Sequence, residues 1–578
     1  MCCKQGAVHN VNLTGSSGSG LALAHSVLAT LGRCSHLVDI CAISSISINH
    51  GCLPPSGPSL IRLGAPCLKR QHLPGQLPDD SCHSLNCLLS VSVGAPWLAR
   101  LGTRPAMRNT LADHRKTLLS ARMKTTARIV CSLFLVLLLS MAGFCLWRRP
   151  DRAIRVATAN VAQTLCTGVF VEGLAPDRVF AENIAPMKGM HILLPRLHYA
   201  VDRDTRKVTA QWLGHFVSEV TYYPTYGCAL PLLAPDAATL QAAHEVATAT
   251  TDAPATSEDP TIVGALALAF AEPAHGPHRN VHAIVVMHDG KIIAERYAAG
   301  FNPDTPQLGY SLSKSVVNAL FGILVKQGRL TMNMPAPVLA WQSPGDPRHR
   351  ITLDQLSRMV SGLDLTEDDS GFDPVSTMLF LKKDMAGYAA HASLRIQPGQ
   401  QWEYTSGNTL ILTGILRDTV GGGAPGLIRF AHRELFDPLG MQHVLMEFDG
   451  AQSLVGSTRI YASARDWARF GQLYLDDGMI DGRRILPEGW SAYVSRQTLD
   501  SIYGSGFWTN AGTAADGSHI IAGMPGDAYF ASGLNGQRIV IVPSKRLVIV
   551  RLGSTVDPPD FDMRGLVRLV DDVAATVH

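Results

Sequence analysis

Predicted β-strands lie at both ends of residues 260–578, and this arrangement constrains the fold more than any other feature of the sequence. Residues 281–287 and 292–297 are rich in β-branched side chains and flank a short turn that contains Asp-Gly, which is typical of a β-hairpin. Residues 538–542 and 547–551 form a second pair around a Pro-Ser-Lys turn. Helical patterns fill the stretch between the pairs. The sequence therefore predicts an α+β fold, in which one antiparallel sheet is built from both ends of the domain and is flanked by helices.

A candidate nucleophile lies between the first hairpin and a strongly apolar helix. The stretch 309–315 reads Gly-Tyr-Ser-Leu-Ser-Lys-Ser, and from residue 316 onward apolar side chains recur at helical spacing. Ser311 and Lys314 are three residues apart, so a helix places both side chains on one face. A lysine amine can take the proton of a serine hydroxyl if burial or nearby positive charge lowers its pKa. The dipole at the start of the helix favours the negative charge that develops on Ser311.

Ser-x-x-Lys also occurs by chance on ordinary helix faces, so the rest of the chain has to support the motif. The formal net charge of the 578 residues is +3, and no long basic run is present, which argues against a nucleic-acid partner. The sequence contains no P-loop, no His-Glu-x-x-His and no paired Cys-x-x-Cys. We therefore expect no nucleotide, no metal and no organic cofactor. No cysteine follows Cys228, which excludes a cysteine nucleophile in the predicted domain.

The first 122 residues do not resemble a folded domain. They are rich in Ser, Gly, Pro, Leu and Cys and have no sustained periodicity, so we interpret them as a disordered or wrongly included leader. Met123 is followed by a short basic region and an apolar run, as at a natural start of translation. The alternative is a genuine cysteine-rich extension.

Residues 129–147 form a run of nineteen residues without a charge, which is just enough to cross a bilayer as a helix. Basic residues flank both ends, so their distribution hardly indicates the orientation. We assign residues 123–152 to a signal anchor. A cleaved signal peptide and a buried soluble helix are the alternatives; the first lacks a clear cleavage site, and the second is disfavoured because the run is apolar all round.

Residues 153–259 are interpreted as a small N-terminal region and a linker, the linker being rich in Ala, Thr, Asp and Pro. Cys166 and Cys228 are the two cysteines beyond the apolar run. In an oxidising compartment such an even pair is a candidate disulfide, and two buried free thiols are the alternative.

Five motifs, in order, resemble the serine β-lactamase and penicillin-binding-protein superfamily. Within its class C-like branch, the sequence is most similar to the 6-aminohexanoate-dimer hydrolase-like serine hydrolases. The resemblance covers about residues 260–575 and implies that superfamily's α/β sandwich with an all-helical subdomain. The motifs are Gly-Tyr-Ser-Leu-Ser-Lys-Ser at 309–315, Met-Val-Ser-Gly-Leu at 359–363, Tyr-Thr-Ser-Gly-Asn at 404–408, Ala-Arg-Asp-Trp-Ala-Arg-Phe-Gly at 464–471 and Ala-Ser-Gly-Leu-Asn-Gly-Gln at 531–537.

The resemblance implies roles for residues of the first and third motifs. Ser311 would be the acylated nucleophile, and Lys314 would share in its deprotonation. Tyr404 would act with the lysine as general base and as acid to the leaving group, with its pKa lowered by the ammonium. Ser406 stands where the family usually has an asparagine, and Asn408 is a candidate for the missing amide. The alternative for Tyr404 is a packing tyrosine at a helix entrance.

The last motif departs from the family pattern. Where the family has Lys-Thr-Gly or His-x-Gly on an edge strand, this chain has Leu534-Asn535-Gly536, without a cation. The resemblance implies that the backbone N–H groups of Ser311 and Gln537 form the oxyanion hole. Asn535 and Gly536 then fall in the substrate-binding region. Without the cation, a neutral amide or ester is favoured over a substrate with a carboxylate.

These residues predict an exported serine hydrolase that acts on a small amide or ester. The resemblance implies a single-pass protein of the bacterial inner membrane with a periplasmic catalytic domain. A D,D-peptidase or β-lactamase is one alternative, and a non-catalytic sensor on the same fold is another. We expect the acidic run that includes Glu367 and Asp369 to be a solvated loop beside the cleft. Trp402 and Trp508 could line the pocket, although their pattern favours packing in the core.

Overall fold

The computed structural model describes residues 105–242, 253–275, 278–510, 521–555 and 562–577. The predictions for residues 1–104 lie outside the described residues. The helices are α1 Pro105–Arg148, α2 Pro150–Cys166, α3 Pro176–Val179, α4 Met190–Leu193, α5 Ala237–Ala242, α6 Pro260–Phe270, α7 Leu312–Lys326, α8 Leu353–Ser357, α9 Pro374–Leu381, α10 Met385–Ala390, α11 Ser406–Val420, α12 Gly423–Ala431, α13 Ala464–Leu475, α14 Trp490–Ser495 and α15 Met563–Thr576. The strands are β1 Leu197–Asp202, β2 Lys207–Trp212, β3 Phe216–Tyr223, β4 Gly227–Ala229, β5 Val281–His288, β6 Lys291–Tyr297, β7 Gln307–Leu308, β8 Leu445–Met446, β9 Ile460–Ala462, β10 Met479–Ile480, β11 Arg483–Arg484, β12 Trp508–Thr509, β13 Tyr529–Gly533, β14 Gln537–Val542 and β15 Leu547–Gly553.

The main sheet joins the two ends of the catalytic region, which confirms the predicted α+β fold. Its six antiparallel strands lie in the order β12-β13-β14-β15-β5-β6. The pairing of β15 with β5, with Val550 opposite Val285, brings the last strand of the chain beside the first strand of the domain. Because a strand directs successive side chains to opposite faces, β5 places Val285 in one core and Ile284 in the other.

Helices cover both faces of this sheet. Helices α6 and α15 pack with each other over the core that contains Ile284, Val540 and Ile549. Helix α13 lies on the opposite face, where Gly471 comes so close to the strands that a Cβ there would lie 2.6 Å from Val548. Helices α7 to α12 lie between the two strand pairs in the chain and include the helix that begins at the candidate nucleophile.

The N-terminal region packs directly against the catalytic domain. Helix α2 lies on a four-stranded antiparallel sheet in the order β1-β2-β3-β4, and its apolar side chains belong to the same core as those of α7 and α11. Cys166 and Cys228 form a disulfide within this region, with their Cα atoms 6.1 Å apart. The N–H of Cys228 donates to the buried carboxylate of Glu447 at 2.8 Å. Arg459 pairs with the same carboxylate at 3.2 Å, which ties the region to the segment before β9.

Helix α1 precedes this compact body. Within it, Lys116–Met141 is long and apolar enough to cross a membrane, and none of this stretch is buried by the protein. Pro150–Val171 also has the length and composition of a span, but 61% of its most apolar window is buried. This second stretch is therefore a core helix of the N-terminal region. Among the described residues, α1 is the helix that exposes a long apolar surface.

Candidate active site

Ser311 lies at the N-terminus of α7, immediately after a strained backbone position. Tyr310 has φ of 46°, a left-handed conformation that costs a non-glycine residue free energy. Gly309 fits against Trp467 so closely that a Cβ would lie 2.6 Å from the indole ring. The N–H groups of Leu312 and Ser313 donate to the carbonyls of Gly309 and Tyr310, which fixes the turn into the helix. This tight turn leaves the Ser311 side chain partly exposed, while the helix behind it is buried.

The Lys314 ammonium is held by three oxygen atoms. Its Nζ lies 2.9 Å from Ser311 Oγ, 3.2 Å from Ser406 Oγ and 3.0 Å from the carbonyl oxygen of Ser457. The side chain is only 3% exposed. Burial therefore lowers the pKa of Lys314 to about 8, although the negative charges of Glu367 and Asp369 raise it in part. A neutral amine within hydrogen-bonding distance of a serine hydroxyl is the arrangement that general-base activation requires.

Tyr404 completes the group around Ser311. The Ser311 side chain lies near enough to lower the pKa of Tyr404 in part, and Lys314 Nζ lies 4.8 Å from the centre of the Tyr404 ring. The expectation of a lowered pKa is wrong, because burial raises the pKa of the Tyr404 hydroxyl and the charge of Glu367 raises it further. Tyr404 is therefore a protonated phenol in the unliganded site. It can donate a proton, whereas Lys314 is the group poised to accept one.

Ser406 and Glu367 extend this hydrogen-bonded group. Ser406 is the first residue of α11. Its Oγ donates a hydrogen bond to Glu367 Oε1 at 3.0 Å and accepts one from Lys314 Nζ. The Ser406 N–H also donates to Glu367. Sequence reasoning missed Glu367, because it lies in an irregular acidic run that resembles a solvated loop. Nothing in its spacing indicates that the loop folds back onto the start of α11.

Asp369, in the same loop, matches the prediction more closely. Its side chain reaches solvent. Burial at the cleft and the neighbouring charge of Glu367 raise its pKa to about 6. The site thus has two acidic side chains: Glu367, which contacts Ser406, and Asp369 at the rim, whose pKa is raised.

Asn408 does not supply the amide that the motif lacks, so this prediction is wrong. The side chain is 1% exposed, its oxygen accepts a hydrogen bond from Ser361 at 2.7 Å, and its nitrogen contacts the sulfur of Met359. The physical reason is helical geometry. Because α11 begins at Ser406, a residue two positions later points about 200° around the axis.

Gln537 is not placed to form the oxyanion hole, which is a second correction. Gln537 and Gly533 are register partners where β13 and β14 meet. On the opposite edge of β13, which faces β12, the carbonyl of Ala528 accepts a hydrogen bond from the Asn510 N–H. Backbone groups alternate in direction along a strand, so residues 528, 530 and 532 face that outer edge, whereas Gly533 faces β14. The Gln537 N–H therefore belongs to the β13–β14 ladder.

By this alternation, the backbone N–H of Ser532 faces the outer edge of β13, beyond the residues that pair with β12. In the described part of the chain, β12 pairs with this edge at Tyr529 and Phe530. Gly533 packs against the turn before the nucleophile, since a Cβ there would lie 2.2 Å from the carbonyl oxygen of Gly309. The sequence motif alone assigns the second oxyanion donor to Gln537. Ser532 becomes a candidate only when the alternation of backbone groups along β13 is known.

The Leu534–Gly536 segment is a tight turn of the β13–β14 hairpin rather than part of a strand. Asn535 has φ of 59°, and its amide donates to Asn183 at 3.2 Å and to the Tyr310 hydroxyl at 3.3 Å. The carbonyl of Gly536 accepts from Arg551. These contacts make Asn535 and Gly536 supports of the hairpin turn and of Tyr310, while Leu534 is 42% exposed.

An aromatic wall stands beside Tyr404. We use this name for Trp402, Tyr404, Tyr503 and Trp508, whose ring centroids lie 5.2–6.4 Å apart. Tyr503 is buried, but Trp402 and Trp508 are partly exposed, so they do more than fill the core. The wall offers an apolar surface next to the nucleophile. Among the described residues, no group of three or more His, Cys, Asp or Glu side chains is arranged to hold a metal ion.

Comparisons with known proteins agree with this arrangement. The β-lactamase family model matches residues 269–572. A 6-aminohexanoate-dimer hydrolase of Paenarthrobacter ureafaciens is 26% identical over 310 residues, which are 49% of this chain and 75% of that protein.

Two solved structures are similar to part of this chain at low sequence identity. A penicillin-binding-protein homologue from Caulobacter crescentus is 17% identical with a TM-score of 0.45, over 57% of this chain and 100% of that chain. A family VIII carboxylesterase is 16% identical with a TM-score of 0.45, over 56% of this chain and 99% of that one. Because the β-lactamase family model covers more than half of the sequence, the chain belongs to the β-lactamase family, and it is similar to a 6-aminohexanoate-dimer hydrolase.

Proposed function

We propose that the protein is a membrane-anchored serine hydrolase that forms an acyl-enzyme on Ser311 and hydrolyses a neutral amide or ester. The observation that carries this proposal is the buried Lys314 amine, 2.9 Å from Ser311 Oγ and with its pKa lowered to about 8. A non-catalytic module has no need to bury a lysine against a partly exposed serine, because burying an ammonium costs free energy.

Acylation begins when neutral Lys314 takes the proton of Ser311. The Ser311 oxygen then attacks the carbonyl carbon, and the carbonyl oxygen becomes an oxyanion. The proposed donors to that oxyanion are the backbone N–H groups of Ser311, at the helix start, and of Ser532, on the outer edge of β13. Neither donor depends on a side chain.

The leaving group departs with a proton from Tyr404. Its raised pKa keeps the phenol protonated, and Lys314, now an ammonium 4.8 Å from the ring, returns a proton to it. A water molecule then attacks the acyl-enzyme. Tyr404 and Lys314 accept a proton from this water, which reverses the proton transfer to the leaving group. Ser406 and Glu367 hold Lys314 in place through these steps.

The aromatic wall and the uncharged Leu534 favour a substrate that is apolar around the scissile bond. A D,D-peptidase or β-lactamase remains the alternative, because it would use the same acyl-enzyme chemistry. Residues 531–537 contain no lysine or histidine that could bind a substrate carboxylate. This absence favours an amidase or esterase.

We further propose that α1 anchors the enzyme in the bacterial inner membrane, with residues 129–147 in the bilayer and the catalytic domain in the periplasm. The exposed apolar surface of α1 supports the anchor. The disulfide between Cys166 and Cys228 supports an oxidising compartment for the domain.

Labelling with a fluorescent fluorophosphonate tests the proposal. The full chain in detergent should be labelled, Ser311→Ala should not be, and Ser343→Ala, which changes an exposed serine, should behave as the wild type. A fluorescent penicillin and p-nitrophenyl butyrate separate the alternatives. Covalent labelling by penicillin would favour the peptidase or β-lactamase, whereas ester turnover without it supports our proposal. A folded protein that reacts with no probe would contradict it.

A further inference from the structure

The rim of the active site lies beside the point where α1 enters the folded domain. We define the rim segment as residues 364–373, which includes Glu367. Near its end, Gly371 approaches the first turn of α2, where a Cβ would lie 3.7 Å from Ala153. The guanidinium of Arg148, the last residue of α1, lies 5.5 Å from the centre of the Phe372 ring. The segment that contacts Ser406 therefore also contacts the end of the apolar helix.

The apolar run of α1 ends directly at this contact. Residues 129–147 are uncharged, and Arg148 follows them without a spacer. If this run fills the hydrocarbon layer, Arg148 lies at the level of the lipid headgroups. Phe372, which is 47% exposed and lies beneath the Arg148 guanidinium, then lies at the same level. An exposed aromatic ring beside a basic residue suits this interfacial zone.

Basic side chains surround the rim on this side. Arg148, Arg149 and Arg152 follow the apolar run within five residues. The charge of Lys188 acts on Asp368 of the rim, so the acidity of the segment is partly balanced there. Cations close to the end of a membrane span are attracted to anionic headgroups by about 1 kcal/mol each. These cations partly offset the five carboxylates of the rim segment, which are Asp364, Glu367, Asp368, Asp369 and Asp373.

The nucleophile lies close to this surface on the scale of the molecule. Five residues separate Glu367 from Phe372, so their Cα atoms are at most about 18 Å apart. Contacts of 3.0, 3.2 and 2.9 Å then lead through Ser406 and Lys314 to Ser311. Ser311 therefore lies within about 30 Å of Phe372. A domain of about 430 residues has a radius of gyration near 22 Å and a diameter of about 55 Å, so Ser311 lies within about half of that diameter of Phe372.

We propose that the rim segment rests on the bilayer surface and that the enzyme takes its substrate, an ester or amide with an apolar tail, from the membrane. This inference rests on the proposed function and names its substrate class. The aromatic wall beside Tyr404 provides an apolar path next to the nucleophile. Leu534, exposed on the hairpin turn, adds apolar surface.

Photo-crosslinking tests the position of the rim. The full chain is reconstituted in nanodiscs with one-third anionic phospholipid, and p-benzoylphenylalanine replaces Phe372 or, as a control, Lys291. Lys291 is exposed and begins β6 opposite His288, which lies about 23 Å along β5 from Val281. We expect phospholipid adducts by mass spectrometry from position 372 and none from position 291. No lipid adduct at 372, or equal adducts at both positions, would overturn the proposed placement.

Turnover tests the substrate class. We compare p-nitrophenyl butyrate in solution with p-nitrophenyl palmitate embedded in the same nanodiscs. Phe372→Asp should lower turnover of the embedded ester at least tenfold and leave turnover of the soluble ester within twofold, and Phe372→Trp should retain both. Equal effects on the two esters, or a preference for the soluble ester in the wild type, would overturn the inference. If position 372 gives lipid adducts but neither ester is hydrolysed, the proposed function fails and the placement of the rim stands.

Discussion

The pKa of Lys314 makes the reactivity of Ser311 depend steeply on pH. Burial lowers that pKa to about 8, and only the neutral amine can accept the serine proton. At pH 6 about 1% of the lysine is neutral, and at pH 8 about half is. The second-order rate constant for labelling by a fluorophosphonate should therefore rise about 50-fold from pH 6 to pH 8 and level off above pH 9.

The same measurement on Glu367→Gln tests the sign of the electrostatic effect. The charge of Glu367 raises the pKa of Lys314, so its removal should lower that pKa further. The inflection should move to lower pH, and the variant should label faster than the wild type at pH 6. Glutamine can still accept a hydrogen bond from Ser406, which separates the effect of charge from that of position.

Glu434→Gln is the matched control for this experiment, because Glu434 pairs with Arg433 on the surface. Its profile should coincide with that of the wild type. A flat profile between pH 6 and pH 9 in the wild type would refute Lys314 as the base. A shift to higher pH in Glu367→Gln would refute the electrostatic reasoning, even if the wild-type profile has the expected form.

Three further predictions concern single residues. At neutral pH the pKa shift of Lys314 from 10.5 to about 8 costs the fold about 3 kcal/mol, so Lys314→Met should raise the urea midpoint at pH 7, and this gain should fade as pH rises from 8 to 10.5. Ser532→Pro, which removes a backbone N–H, should lower kcat at least 100-fold, whereas Ser532→Ala should retain activity; equal losses would contradict the assignment of the oxyanion donor. Cys166→Ala opens a disulfide that spans 62 residues and should cost about 4 kcal/mol of unfolding free energy, and unchanged urea denaturation would contradict this.

The sequence was sufficient for features that follow from local periodicity. The alternation in residues 281–287 and 538–551 is visible without any contact, and the pairing of β15 with β5 follows because the two strand pairs need a common sheet. The apolar helix after Ser311 is likewise encoded locally. These elements placed the nucleophile at a helix start correctly.

The errors concern contacts that local patterns do not encode. Glu367 contacts Ser406 across 39 positions of the chain that include α9 and α10, and no periodicity predicts that contact. The direction of the Asn408 side chain depends on where α11 begins, because a helix that starts at Ser406 turns this side chain away from the site. Gln537 depends on the register of the β13–β14 hairpin, which pairs it with Gly533. The errors at Asn408 and Gln537 follow from details of helix start and strand register, whereas Glu367 was missed because its contact is long-range.

Tyr404 illustrates a different difficulty. Sequence reasoning considers the ammonium of Lys314, which lowers the pKa of a nearby phenol. In the folded protein, burial outweighs that attraction, and the carboxylate of Glu367 adds to the upward shift. The balance of burial and charge depends on all the groups that surround a site. It becomes visible only when the acidic loop and the aromatic wall are in place.

Mass spectrometry of the trapped enzyme tests the central claim most directly. The full chain is incubated with a slowly hydrolysed activated ester, quenched in acid, digested and analysed for the peptide that contains residues 309–315. The acyl group should be found on Ser311, it should be absent in Ser311→Ala, and it should form far more slowly in Lys314→Met. Hydrolysis of the ester with no adduct on Ser311, or an adduct of equal yield in Ser311→Ala, would contradict the acyl-enzyme mechanism.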